Sequence, residues 1–243
     1  MIQAALNGDR RCNEHPGIPC SAEELARDAA ACVTAGAVEL HLNPRDANGL
    51  ETLDPLTIYS TVRQVKAAAN VPVGVSTGAW IEPDLEKRLT LIRSWYGPDY
   101  ASVNCSEDGA IEVMYALISA GIGIEVGIGT PEEVDIFARS LLVFSNAVVR
   151  ILVEPMGAEL PDEDAAKARF DAIHHRLDTL GFMNPRLQHT DGPLAWFAVR
   201  DAVRRGWDTR VGFEDTLVGP RRKAVTSNAE LVEAARSIPG AAR

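Results

Sequence analysis

A chain of 243 residues with 46% hydrophobic and 24% charged residues has the makings of a folded globular protein with a sizeable core, and disorder is excluded. The formal net charge of −10 and the lack of a Lys/Arg-rich block exclude nucleic acid and anionic membrane surfaces as expected partners, though a few arginines in a cleft would still receive an anionic small molecule. No apolar run is long enough to span a bilayer and the opening MIQAALNGDRR lacks a basic signal-peptide start, so a cytoplasmic protein is expected.

Along the chain, short apolar or β-branched runs alternate with helical periodicity eight times. Strands are predicted at 2–8, 37–43, 71–77, 100–105, 122–128, 148–154, 186–190 and 210–214, and helices at 23–34, 55–68, 84–95, 108–120, 131–143, 162–180, 192–205 and 228–237. Helix starts are marked by Ser21 with Glu24, by Asp54-Pro55, by Thr130-Pro131 with Glu133, and by Ser227 with Glu230. No linker or low-complexity tract divides the chain, so residues 1–243 read as one α/β domain. Strict alternation implies a parallel sheet, and eight units favour a closed (β/α)8 TIM barrel over an open doubly wound sheet. No G-x-G-x-x-G follows the first strand, and GIGTP at 127–131 is too short and too late to replace it.

Period-two alternation assigns the strand faces. Val38, Leu40 and Leu42 should meet the helices, which turns Glu39, His41 and Asn43 into the barrel. By the same rule Gln3, Ala5 and Asn7 face inward, as do Tyr100, Ser102 and Asn104, then Arg150, Leu152 and Glu154, and finally Arg210, Gly212 and Glu214. Charges inside a barrel must be paired, solvated or metal-bound. Polar residues at most C-terminal strand ends indicate a site for a polar substrate.

Several groups there carry candidate chemistry. His41 and Asn43 share a face but supply one imidazole, which by spacing alone fits a hydrogen-bonded interior histidine better than a metal site. Glu214-Asp215 reads equally as a ligand beside a base or as an Arg210 partner followed by a helix cap. Arg45 and Arg210 are candidates to clamp a carboxylate, and Ser76, Thr77 and Gly78 to hold an anion, although S-T-G also makes an ordinary turn. His189 ends the seventh strand with its facing unassigned. Cys12, Cys20, Cys32 and Cys105 form no C-x-x-C pair and read as reduced core fillers.

HLNPRD (41–46) resembles the H-L-H-x-R-D segment of the β-keto acid cleavage enzymes, and RVGFED (210–215) resembles their R-V-G-x-E-D motif. PGIPCSAEELARDAAACVTAGA (16–37), VSTG (75–78) and ASVNC (101–105) match in place and order. The resemblance runs over nearly the whole of a chain that is shorter than typical members. It implies a barrel holding a divalent metal, usually zinc, and an exchange in which a β-keto acid and acetyl-CoA give acetoacetate and a new acyl-CoA. Carried over, His41 and Glu214 are metal ligands, Asp215 is the base at C2 and Arg210 stabilises negative charge. Ser76 and Ser102 touch substrate, and Asp9 stands where the family has Glu. Apart from the resemblance, Thr77, Gly78, Asn104, Arg45 and Glu154 are read from their places at and beyond the strand ends as further substrate-site residues. Asn43 takes the place of the second histidine. Either Asn43 or water serves as a weak ligand, or His189 or Glu154 substitutes, or the metal is gone and the barrel has become an anion-binding protein or a CoA-independent aldolase or lyase. A homo-oligomer packed through barrel helices is expected.

Overall fold

The side chains that mark helix starts in the sequence make those starts. Ser21 Oγ accepts from Glu24 N at 3.2 Å while Glu24 Oε2 accepts from Ser21 N at 3.0 Å, closing the capping box. Asp54, Thr130 and Ser227 each accept from the backbone N–H three residues on, so three more helices begin on satisfied donors.

The computed structural model describes residues 1–140 and 146–241. In chain order it contains β1 (Ile2–Ala5), α1 (Ala22–Ala35), β2 (Glu39–Leu42), α2 (Pro55–Ala69), β3 (Val73–Ser76), α3 (Leu85–Arg93), β4 (Tyr100–Asn104) and α4 (Ala110–Ala120). There follow β5 (Gly123–Ile128), α5 (Pro131–Ala138), β6 (Val148–Val153), α6 (Glu163–Thr179), β7 (Arg186–Gln188), α7 (Ala195–Arg205), β8 (Asp208–Val211) and α8 (Asn228–Arg236). The last part of the predicted fifth helix, 141–143, lies outside the described residues. Each strand pairs in parallel with the next and β8 returns to β1, so the sheet closes into the expected barrel.

Outward-facing Leu40, Leu42, Val73, Val75, Ile124, Val126, Ile151 and Val153 are buried beneath the helices, which is the main hydrophobic core. Val38 departs from its expected place: it is exposed, because β2 begins one residue later. Inside the barrel the N-terminal halves of the strands carry a polar layer that is largely paired within itself, with Gln3 Oε1 and Glu125 Oε2 left without hydrogen-bond partners. Gln3 Nε2 donates to Tyr100 Oη at 2.9 Å and to Glu125 Oε1 at 3.0 Å. Arg150 pairs with Glu39 and, through Nε, with Glu125 at 2.9 Å. Tyr100 Oη donates to Leu40 O at 2.8 Å. These charges compensate one another, and the chemistry is left to the layer above.

Two expectations are corrected. The eighth strand spans 208–211 rather than 210–214, so Glu214 follows the strand in a turn. Its cause is Gly212, whose missing side chain lets the backbone press on β1: a Cβ there would lie 1.8 Å from Ala5 O. Cys12 and Cys20 are not core thiols. They form a disulfide with Cα atoms 5.9 Å apart, stapling the loop between β1 and α1, while Cys32 and Cys105 are buried as expected. The pairing takes away the argument from unpaired cysteines for a reducing compartment. Among the described residues no helix is long and apolar enough to cross a membrane.

Since the clash at Gly212 would be with backbone, Gly212→Ala should lower the urea midpoint by an amount worth about 3 kcal/mol or more. An unchanged midpoint would contradict the close approach of β8 to β1.

Candidate active site

Asn7 and Gly8 show how the strand ends are aimed. Beyond β1, the Asn7 side chain takes over the ladder: its Nδ2 donates to Asn43 O and its Oδ1 accepts from Asn43 N, both at 2.9 Å. That fixes the backbone carrying His41 and Asn43. Gly8 lies at φ 54, and a Cβ on it would meet Glu214 Cγ at 2.3 Å, so its bareness lets Glu214 reach the barrel axis.

The C-terminal ends of the strands surround a cavity of about 420 Å³. His41 and Asn43 enter from β2, Ser76 from β3, Ser102 and Asn104 from β4, and Arg210, Glu214 and Asp215 from β8 and its turn; Asp9 and Glu154 complete the expected set. Three sequence candidates stay outside. The Thr77 hydroxyl is spent on Ser102 O at 2.7 Å, and Gly78 lies under the Trp80 ring. Arg45 donates to the carbonyls of Gly49, Gly8 and Arg10, so it braces two loops and clamps no substrate carboxylate.

The cavity also has residues that alternation did not assign. His189 lines it, its Nε2 3.1 Å from Glu154 Oε2 and its Nδ1 3.4 Å from Asp215 Oδ1, the latter an ion-pair contact without hydrogen-bond geometry. β7 is three residues long, too short for alternation to settle its facing. Trp80 and Met156 give the mouth apolar surface beside the inward-facing Leu152, and Trp80 sits in a loop that has no periodic signal.

Arg210 dominates the electrostatics. Its Nη2 donates to Glu214 Oε1 and to Asp215 Oδ1, both at 2.8 Å. Burial alone would raise the Asp215 carboxyl, but Arg210 and His189 outweigh it and hold it at about 2. Burial raises the Glu214 carboxyl against the pull of Arg210. For His189, burial and Arg210 oppose a charge, yet Asp215 and Glu154 prevail and push the ring up to about 9. Burial, helped by Arg210, takes His41 down to about 4, so its ring is neutral at pH 7.

A neutral His41 suits a metal, and its Nε2 is 3.9 Å from Glu214 Oε2. Glu214 Oε2 and Asn43 Oδ1 are buried without hydrogen-bond partners. The Asn43 amide nitrogen is turned away, donating to Glu51 Oε1 at 2.5 Å, and Trp80 Nε1 donates to the same carboxylate at 3.3 Å. One imidazole, one carboxylate and one amide oxygen fit a divalent cation, but as a weak set. Among the described residues no group of three His, Cys, Asp or Glu is placed to hold one. His189 supplies no replacement imidazole, being engaged by Glu154 and Asp215.

Comparison with known proteins places the chain among relatives. The profile of the beta-keto acid cleavage enzymes matches residues 1–146 and 190–242. The 3-keto-5-aminohexanoate cleavage enzymes of Acetoanaerobium sticklandii and Fusobacterium nucleatum are each 25% identical, over 248 and 252 residues, covering 96% of this chain and 89% and 88% of theirs. Among solved structures, the ternary complex of ObcA with a C4-CoA adduct and oxalate superposes with a TM-score of 0.74 at 16% identity, over 93% of this chain. The chain spans 66% of ObcA, just under two thirds, and the likeness is one of fold. Arg150, Glu154 and His189 fall in the stretch that the profile leaves unmatched.

Two outcomes follow from the charges. The folded pKa of His189 is raised from 6.5 to about 9, so its ionised form adds stability in full below pH 6.5, and this is lost as pH rises through about 9. Thermal melts from pH 6.5 to 10 should show that loss in the wild type and not in His189→Gln; parallel curves would refute the assignment. Asn43→His should raise zinc affinity by about tenfold or more in chelator competition, as expected when an imidazole joins a two-donor site. Equal affinities would show that Asn43 does not face the ion.

Proposed function

The chain belongs to the beta-keto acid cleavage enzyme family, and from that premise we propose that it converts a β-keto acid and acetyl-CoA into acetoacetate and an acyl-CoA. In this reaction the C2–C3 bond of the keto acid breaks. Its C1–C2 fragment joins the acetyl group as acetoacetate, and its acyl remainder leaves on CoA. The observation that carries the reading is Asp215: a buried carboxylate held ionised, with Oδ1 fixed by Arg210 and Oδ2 unpartnered at the cavity.

Ser76, Ser102 and Asn104 present hydroxyls and an amide along one wall and suit the carboxylate and ketone oxygens of the keto acid. Asp215 Oδ2 takes the C2 proton. Held at about 2, the carboxylate is a weak base until substrate binds. The keto acid brings its own anion, which competes for Arg210 and loosens the grip on Asp215. The same guanidinium then faces the negative charge that develops on the substrate. At the end Asp215 returns its proton to C2 of the acetoacetate carbanion. A divalent cation held by His41, Glu214 and the Asn43 amide oxygen would supply a Lewis acid for the keto-acid oxygens. Trp80 and Met156 at the mouth, beside Leu152, suit the apolar part of the keto-acid chain.

Acetoacetate release from a panel of β-keto acids with acetyl-CoA tests the proposal. Asp215→Asn should lower kcat by about 10²–10⁴-fold and leave KM for the keto acid within a few-fold. Absence of wild-type product across the panel would overturn the reading, and turnover without acetyl-CoA would replace it with a lyase.

A further inference from the structure

Beside the active site lies a second groove that the chemistry above does not use. It has a volume of about 460 Å³ and runs between the start of α7 and the loop after β8. Trp196 and Phe197 belong to its lining, and Arg200, Arg221 and Arg222 surround it. Arg200 is paired with Glu163 at 3.1 Å, whereas Arg221 and Arg222 have no ion-pair or hydrogen-bond partner among the described residues. Two uncompensated guanidiniums side by side are out of keeping with a chain of net charge −10.

Their backbone is equally unusual. Arg221 lies at φ 60 and Arg222 at φ 57, in the left-handed region, and among the described residues only Asn70 shares that conformation without being glycine. Asn70 ends a helix, where such a turn is ordinary. Two successive left-handed arginines cost conformational energy and gain nothing from packing, since both are exposed. What the turn achieves is to place both charges on the groove.

Residues of the groove adjoin residues of the active site along the chain. Thr190, Asp191 and Asp215 line the catalytic cavity, and the adjoining Gly192, Pro193 and Thr216 line the groove. A ligand with its reacting end at Asp215 and a long arm over these two loops would bring its far end to Arg221 and Arg222. The loops after strands seven and eight are also a frequent phosphate-binding place in barrels of this kind.

We infer that this groove binds the phosphorylated nucleotide end of the CoA thioester, with Arg221 and Arg222 on its phosphates. The inference rests on the acetyl-CoA reading above for its biological ligand, but its test does not. Guanidinium and phosphate form charge-assisted, bidentate hydrogen bonds.

The test uses adenosine 3′,5′-bisphosphate as probe, titrated into the full chain by calorimetry. Arg221→Asn with Arg222→Asn removes both charges and retains residues that tolerate the left-handed turn. The double variant should bind the probe about tenfold or more weakly, and the Lys pair should recover part of the loss. In turnover, the preference for acetyl-CoA over S-acetylpantetheine, as a ratio of kcat/KM, should fall by a similar factor. Equal probe affinity in wild type and double variant would overturn the inference. So would equally tight binding of inorganic phosphate, which would reduce the groove to an unspecific anion patch. A wild type that binds the probe but releases no acetoacetate would refute the reaction and leave the groove standing.

Discussion

One nitrogen, Arg210 Nη2, holds two neighbouring carboxylates, and the upper half of the barrel depends on that arrangement. Glu214 and Asp215 are adjacent in sequence, the first half-buried and the second buried, and the charge on Asp215 opposes the ionisation of Glu214. Without the guanidinium, taking both charges out of water would cost several kcal/mol. With it, Asp215 stays ionised while Glu214 is left the more basic of the two, and neighbouring acids acquire different characters from one cation. Arg210 can do this because β8 stops at Val211: the turn from Gly212 brings residues 214 and 215 back over the strand end. A strand continued to 214 would have carried the carboxylates away from position 210.

The barrel interior divides its charges by depth. Near the strand starts, Arg150 answers Glu39 and Glu125, and Gln3 donates to Tyr100. None of these residues lines the catalytic cavity. At the strand ends the balance is deliberately incomplete: Asp215 Oδ2, Glu214 Oε2 and Asn43 Oδ1 are buried without partners. Leaving a buried polar atom unpaired costs about 1–3 kcal/mol. Three such atoms belong to residues that line the cavity, within reach of a ligand, whereas the orphaned Gln3 Oε1 and Glu125 Oε2 of the deeper layer belong to residues that do not line it.

The sequence made the barrel legible because its two periods, two in strands and 3.6 in helices, change over at capped boundaries that hold in three dimensions. Ten of the thirteen sequence candidates meet at one cavity for the same reason: alternation turns His41, Ser102, Asn104 and Arg210 inward whatever their neighbours are. Periodicity says nothing beyond a strand end, and there the sequence reading went astray. Arg45, Thr77 and Gly78 lie in such segments, where local hydrogen bonds decide direction. The Cys12–Cys20 disulfide is also set by a loop path. His189 was within reach of the pattern but follows a strand too short for alternation to speak.

Net charge is the last point at which local structure overrides composition. At −10 the chain should repel both a keto acid and a CoA thioester. Yet beyond about 8 Å at physiological ionic strength surface charges are largely screened, so what an anion meets on arrival is the mouth and not the sum. Cations stand inside the mouth at Arg210 and the His189 ring and along the adjoining groove at Arg221 and Arg222. Several of the carboxylates beside them are engaged: Asp215 and Glu214 by Arg210, Glu154 by His189, and Glu51 by Asn43 and Trp80. In the reaction proposed above, an anionic substrate would displace the present partners of these cations, and that displacement would free Asp215 to act. Binding and activation would then be the same exchange of partners about Arg210.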